Sequence, residues 1–283
     1  MSTGPSAQRQ NTVWIDGALV DADEARISPF DHGLLTGDGV FETLVVYDGR
    51  PFAVRRHLER LAVSCKGLGL DAPDAQTMRS ALDAVVAAND LTSARMRITV
   101  TGGDSPLGSD RGGHGPTVVV AGGALATWPP TADVVTVPWT RNEKGALAGL
   151  KTTSYGENVI ALAYAKERGA SEAIFANTVG ELCEGTGSNV FVGIGGRLVT
   201  PPLRSGCLAG VTRALVLEST DAVEEDLPLA ALADADEAFL TSTTREVQAI
   251  GTVDGRALAP APGPLTEAAA AAFKSVVSRS IDP

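Results

Sequence analysis

Lys151-Thr152-Thr153-Ser154-Tyr155, followed further along by Glu184-Gly185-Thr186-Gly187-Ser188-Asn189-Val190-Phe191, is the stretch from which the fold can be read. The chain has five lysines, Lys66, Lys144, Lys151, Lys166 and Lys274, and Lys151 stands among small and apolar neighbours. A lysine so placed loses its proton more easily than a solvated one, as a Schiff-base amine requires. Taken alone, a lysine closing an apolar stretch reads as a surface residue whose stem covers its neighbours. The blocks on either side supply the context.

Upstream, the pattern predicts a strand over 12–16, a turn at Gly17, and a strand over 39–47 closed by Asp48-Gly49. Leu58, Leu61, Ala62, Cys65 and Leu68 follow helical spacing, with Gly67 and Gly69 ending that helix, and a second helix covers 74–89. Residues 95–101 alternate as a strand, with Met96, Ile98 and Val100 on one face and Arg95, Arg97 and Thr99 on the other. A polar, glycine-rich loop over 102–115 leads to a strand over 117–121. Glycines and prolines over 122–130 mark a linker.

Downstream, strands are expected over 134–138, 173–176, 189–194, 197–200 and 238–241, with hairpins at Gly195-Gly196 and Asp254-Gly255. Helices are expected over 158–168, from Gly210 to 218, and over 265–278. The reading is an α/β (α+β) chain: a disordered tail over 1–11, an α/β domain over 12–121, the linker, and a second α/β domain over 131–283 carrying Lys151. A ligand cleft is expected between the domains.

At 283 residues there is ample chain for a buried core, and 44% hydrophobic with 20% charged residues is ordinary globular composition. A net charge of −11 argues against nucleic acid or an anionic membrane surface as partner. An anionic substrate would need a local basic pocket. No apolar run reaches the ~18 residues of a membrane span, and no signal peptide is read before Trp14. Cys65, Cys183 and Cys207 are widely spaced and odd in number, which fits a reduced cytoplasm and neither a disulfide framework nor a metal cluster. Cys183, with no histidine near it in sequence, reads as a small buried residue.

Six blocks in order resemble the class IV aminotransferases, fold type IV pyridoxal-phosphate enzymes: Phe30-Asp31-His32-Gly33 with Gly37 to Thr43; His57-Leu58-Glu59-Arg60-Leu61; Leu150-Lys151 to Tyr155; Glu181 to Gly185 with Ser188-Asn189-Val190-Phe191; Leu208 to Arg213; and Thr241-Ser242-Thr243-Thr244. The resemblance runs from about Trp14 to the last helix and implies a homodimer. It makes Lys151 the Schiff-base lysine, and its released amine the base that moves protons. Glu184 becomes the partner of the pyridinium nitrogen, whose charge lets the ring accept electrons. Arg60, Val211, Thr212, Ser242 and Thr243 would cradle the phosphate of pyridoxal 5′-phosphate, Tyr155 would reach the ring hydroxyl, and Asn189 would order the loop behind the ring. Phe41, Arg97 and Thr244 would face the substrate.

The family's members share these blocks, so the reaction is read from departures. D-amino-acid aminotransferases carry a tyrosine where this chain has Phe41, and an Arg-x-His carboxylate trap where it has 104–110. Branched-chain enzymes have an arginine like Arg97 but a different segment after the lysine, and are usually longer. The segments 30–43 and 151–166 look most like bacterial 4-amino-4-deoxychorismate lyases. The expectation is that lyase, with an amino-acid aminotransferase, or a protein that binds the cofactor without turnover, as alternatives. Arg97 leads as donor to a substrate carboxylate, with Arg111 and Arg245 as weaker candidates.

Overall fold

A computed structural model describes residues 12–283; the tail expected over 1–11 lies outside the described residues. The chain divides into two compact units, 1–126 with 150–154 and 282, and 127–149 with 155–281 and 283.

The first unit is built on β1 (Thr12–Ile15), β2 (Ala18–Asp21), the short helix α1 (His32–Leu35), β3 (Gly39–Tyr47), β4 (Arg50–Pro51), α2 (Val54–Leu68), α3 (Ala75–Ala88), β5 (Ala94–Thr101) and β6 (Thr117–Ala124). Its six strands form an antiparallel sheet in the order β2-β1-β6-β5-β3-β4. Alternation assigns the faces. Val40, Leu44 and Val46 of β3 and Met96, Ile98 and Val100 of β5 pack with Leu58, Leu61 and Cys65 of α2 and Met78, Leu82 and Val85 of α3. Each such side chain contributes about 1.5–3 kcal/mol by leaving water. The opposite face carries Phe41 and Thr43 beside Thr99 and Arg97, their cross-strand partners. Asp74 caps α3 through the N–H of Thr77. Gly69 closes α2 at φ 72°, where a side chain would be strained.

The second unit contains β7 (Thr131–Arg141), α4 (Gly156–Glu167), β8 (Glu172–Asn177), β9 (Leu182–Gly185), β10 (Asn189–Ile194), β11 (Arg197–Thr200), α5 (Val211–Ser219), β12 (Val223–Glu224), β13 (Glu237–Ser242), β14 (Glu246–Val253), β15 (Arg256–Ala257) and α6 (Pro264–Arg279). Its mixed sheet runs β12-β11-β10-β13-β14-β7-β8-β9, with β15 on β14. All six residues of β8 are buried, the continuous pattern of a strand covered on both faces. Phe191 and Phe239 stack at 4.8 Å between neighbouring strands. Small residues set the seat of α4: Ala161 and Ala165 pack on Val135, Val137, Ala173 and Phe175.

Three expectations are corrected. Gly122 to Ala124 belong to β6, paired with β5, so the linker begins later than its glycines suggest. Residues 150–154 join the first unit although they follow the linker, because they pair with β3. Seven elements, β2, α1, β4, β9, β12, β14 and β15, were given no range from the pattern. Six of them are only two to four residues long, and the seventh, Glu246–Val253, is interrupted by Gly251.

Candidate active site

β4 pairs with β3 only at Val46 and Tyr47, leaving the other end of β3 an open edge. The Lys151 segment occupies it. Phe41 N donates to Lys151 O at 3.0 Å, Thr153 N donates to Gly39 O at 2.8 Å, and Val40 and Thr152 form a bridge. Gly39 is required here, since a Cβ would lie 2.9 Å from both Thr153 Oγ1 and Val100 O. Ser64 Oγ accepts from Lys151 N at 3.1 Å. With its backbone fixed, Lys151 carries Nζ to 4.3 Å from the centre of the Phe41 ring. The Arg97 guanidinium lies 3.8 Å from that ring, its Nε donating to Thr99 Oγ1 at 3.0 Å. The structure thus brings Lys151, Phe41 and Arg97 together, two cations at one aromatic ring.

On the core-facing side of the same strand lies a group that the sequence reading missed. Glu42 and His57 are 0% and 1% exposed. Glu42 accepts from Arg60 Nε and Nη2, both at 2.7 Å, and lies 2.7 Å from His57 Nδ1. Arg60, expected at the phosphate, is therefore oriented by a buried carboxylate. Burial pushes the Glu42 carboxyl up, but the charge and hydrogen bonds of Arg60, with His57, hold it far below the usual carboxylate range. A charged residue at a core position of an alternating strand was the signal available. Glu42→Gln is expected to cost about 3–5 kcal/mol, because it removes the buried carboxylate that accepts from two Arg60 nitrogens and meets buried His57. A depressed folded pKa gives stability that is full above the ordinary carboxylate range and lost as pH falls below it. The gap between wild type and variant, measured by denaturant unfolding, should therefore narrow in acid; a gap that widens would contradict this account.

In the second unit, Glu184 stands opposite Phe175 across the β8–β9 pair. Its Oε2 accepts from Leu208 N at 2.9 Å, and Arg141 Nε lies 3.4 Å from Oε1. Arg141 sits over Phe175 at 4.3 Å, and its buried Nε makes an ion pair with Glu184 but no hydrogen bond among the described residues. Arg141 was not singled out from sequence, since nothing local ties it to Glu184. Leu208 also accepts from Asn189 Nδ2 at 2.9 Å and from Gly210 N at 2.8 Å, so Glu184, Asn189 and the start of α5 converge on one residue.

No side chain caps α5 at Gly210. A Cβ there would collide with Asn189 Oδ1, which explains the glycine. Val211 and Thr212 form the buried first turn, where N–H groups and the helix dipole favour an anion. Thr241, paired with Asn189, carries a buried hydroxyl with no hydrogen-bond partner among the described residues. Ser242 accepts from Arg245 N at 3.2 Å in the turn containing Thr243 and Thr244, which are half-buried. Tyr155 occupies the N-cap position of α4. A carboxylate fixed by a backbone N–H and a guanidinium, beside an uncapped helix start, suits a pyridine ring bearing a phosphate.

Both weaker carboxylate-binding candidates are committed elsewhere. Arg111 forms a bidentate pair with Asp38. Arg245 lies over Trp128 at 3.7 Å, donates to Gln248 Oε1 and Ser171 O, and lies 3.6 Å from buried Glu172. Glu172 in turn accepts from Thr186 N and Ser188 Oγ, each at 3.0 Å, pinning the turn after Glu184. Cys183 is buried, and burial pushes its thiol up, away from nucleophilic use. Among the described residues there is no metal-ligating cluster of three or more groups, and no helix is long and apolar enough to cross a membrane.

A putative branched-chain-amino-acid aminotransferase of Methanocaldococcus jannaschii is 36% identical over 260 residues, covering 87% of this chain and 89% of that protein. The aminodeoxychorismate lyase of Bacillus subtilis is 32% identical over 246 residues, 83% of this chain and 84% of the relative. The crystal structure of the branched-chain aminotransferase of Thermoproteus uzoniensis with norvaline superposes with a TM-score of 0.88 at 31% identity, covering 94% of each chain. Residues 39–253, which hold Lys151, Glu184 and the start of α5, match the amino-transferase class IV family, and the chain belongs to it as a pyridoxal-phosphate-dependent enzyme.

Proposed function

We propose that this enzyme is a 4-amino-4-deoxychorismate lyase, forming 4-aminobenzoate and pyruvate. The observation that carries the reading is the outward face of the first sheet. Arg97 shares the Phe41 ring with Lys151, and Arg95, two residues along, is exposed on the same face. Two guanidinium groups beside threonines suit a substrate with two carboxylates better than an aliphatic side chain.

Bound pyridoxal phosphate supplies an electron sink for the carbanion. Lys151 would hold the cofactor and, with its amine free, would remove the proton from the substrate ring carbon bearing nitrogen. The C–O bond to the enolpyruvyl group breaks, enolpyruvate leaves and takes a proton to become pyruvate, and the ring becomes aromatic. Glu184 would pair with the ring nitrogen, Arg60, Val211, Thr212, Ser242 and Thr243 would hold the phosphate, and Tyr155 would reach the ring hydroxyl. A homodimer, as the family resemblance implies, is part of the proposal.

A branched-chain aminotransferase is the second reading, favoured by the Methanocaldococcus relative. Length does not argue against it as the sequence reading held, since 94% of the Thermoproteus chain is matched. Incubation with aminodeoxychorismate, and separately with amino-acid and keto-acid pairs, decides between them. Release of 4-aminobenzoate faster than any transamination supports the lyase; fast keto-acid formation with negligible 4-aminobenzoate overturns it. A charged donor to a carboxylate is worth roughly 1.5–3 kcal/mol. Arg97→Leu is therefore expected to lower kcat/KM for the preferred substrate by about one to two powers of ten.

A further inference from the structure

The 102–116 loop joins β5 to β6 and is fastened by three charged side chains of the first unit. Arg111 donates from Nε and Nη2 to Asp38 at 2.7 and 2.5 Å, and from Nη1 and Nη2 to the carbonyls of Gly69 and Leu68 at 2.6 and 2.8 Å. A planar guanidinium can grip a carboxylate and a helix C-terminus together. His32, 1% exposed, meets Asp38 from another side: Nδ1 is 3.0 Å from Asp38 Oδ2, and Nε2 is 2.9 Å from Gly108 O. A carbonyl can only accept. Asp38, first through its hydrogen bonds with Arg111, has its carboxyl held below the usual range and also accepts. A neutral imidazole has one N–H and would leave a lone pair against one of these oxygens. Two accepting oxygens thus favour the form with a proton on both ring nitrogens, and the Asp38 hydrogen bond raises the pKa of His32 above its ordinary value.

Asp38 lies between the two glycines that hold the lysine segment. Gly37 O accepts from Thr153 Oγ1 at 2.9 Å and Ser154 Oγ at 3.0 Å, Gly39 O accepts from Thr153 N at 2.8 Å, and Asp38 O accepts from Gly102 N at 2.9 Å. We propose that His32, Asp38 and Arg111 are positioning residues: they clasp the 102–116 loop to the 37–39 turn and, through that turn, set the backbone that presents Lys151. The proposal rests on the reading of Lys151 as the Schiff-base lysine.

The clasp loosens in one direction of pH. A histidine with a raised folded pKa holds its partners fully at low pH and loses them as pH rises through that value. Asp31, Asp104, Asp110 and His114 are the other ionisable groups on these elements. Asp31 accepts from Gly33 N and Thr101 Oγ1, and none of the four is hydrogen-bonded to His32.

The test uses the holoenzyme and the variants His32→Gln and Arg111→Lys. Hydrogen exchange of peptides covering 102–116, corrected for intrinsic rate, is followed from the ordinary histidine value of about pH 6.5 upward into alkaline pH, together with kcat and KM for the preferred amine. In the wild type, loop exchange and KM should both rise about tenfold across this range, the change expected from one charged hydrogen bond. His32→Gln should show a flat profile, with exchange already high at neutral pH. Arg111→Lys, a partly exposed position that keeps the charge, should retain part of the protection and serves if His32→Gln does not fold. Wild-type pH dependence persisting in His32→Gln would overturn the proposal, as would loop opening without any change in KM. Borohydride labelling run in parallel separates this from failure of the Lys151 reading, which would show as label on another lysine while loop exchange is unaffected.

Discussion

Lys151→Ala is expected to abolish turnover and the near-visible absorbance of the lysine-bound cofactor. The physical ground is the place and chemistry of the amine in this reading. Lys151 is carried by the 150–154 segment on the edge of β3, with Nζ 4.3 Å from the Phe41 ring, and covalent attachment and proton transfer both need a basic amine at that place. Loss of a group serving as both nucleophile and base lowers rates by several powers of ten, roughly the 10⁶ seen when such residues are removed elsewhere. Borohydride reduction of the native holoenzyme should attach the pyridoxyl group to Lys151. Label found mainly on Lys144, whose side chain is 78% exposed beside Glu143, would defeat the assignment. Cofactor affinity should fall less than activity, because a phosphate site at α5 does not depend on the lysine.

Glu184→Gln should lower kcat by ~10²-fold or more, the scale of one preorganised electrostatic group. The structure adds a second consequence. Glu184 accepts from Leu208 N on one oxygen and faces Arg141 on the other. An amide can keep its oxygen toward Leu208 only by turning its NH2 toward a guanidinium, donor against donor. The variant should therefore show a modestly lower Tm as well as slower chemistry, with the fold intact by circular dichroism. An unchanged kcat would mean that another acid pairs with the ring nitrogen. Glu181 is a poor candidate, since its carboxylate accepts from Asn177 Nδ2 within the 177–181 turn.

Much of the architecture was legible because it is written locally. The strand over 39–47 closed by Asp48-Gly49, the alternation over 95–101, the spacing of Leu58, Leu61 and Cys65, and the Gly195-Gly196 and Asp254-Gly255 turns fix period and reversal within a few residues. The short strands and β14 were missed for the complementary reason: two to four residues, or a strand broken by glycine, carry too little pattern to be told from a loop. Lys151 and Glu184 could be named because each stands in a block whose resemblance covers several residues.

The sequence by itself was enough for the family, because the blocks that carry the resemblance are contiguous residues, and the roles proposed for Lys151, Glu184 and the start of α5 rest on that resemblance. The tertiary structure alone decided what each charge is paired with. Arg111 finds Asp38 across 73 residues, Arg245 finds Ser171 across 74, and both leave the list of substrate donors on that ground. Glu42 and Glu172 prove to be the buried anchors of Arg60 and of the turn after Glu184. A charge leaving water must take whichever opposite charge or dipole the folded chain brings within about 4 Å, and that choice is made by packing between distant segments, which no local pattern records.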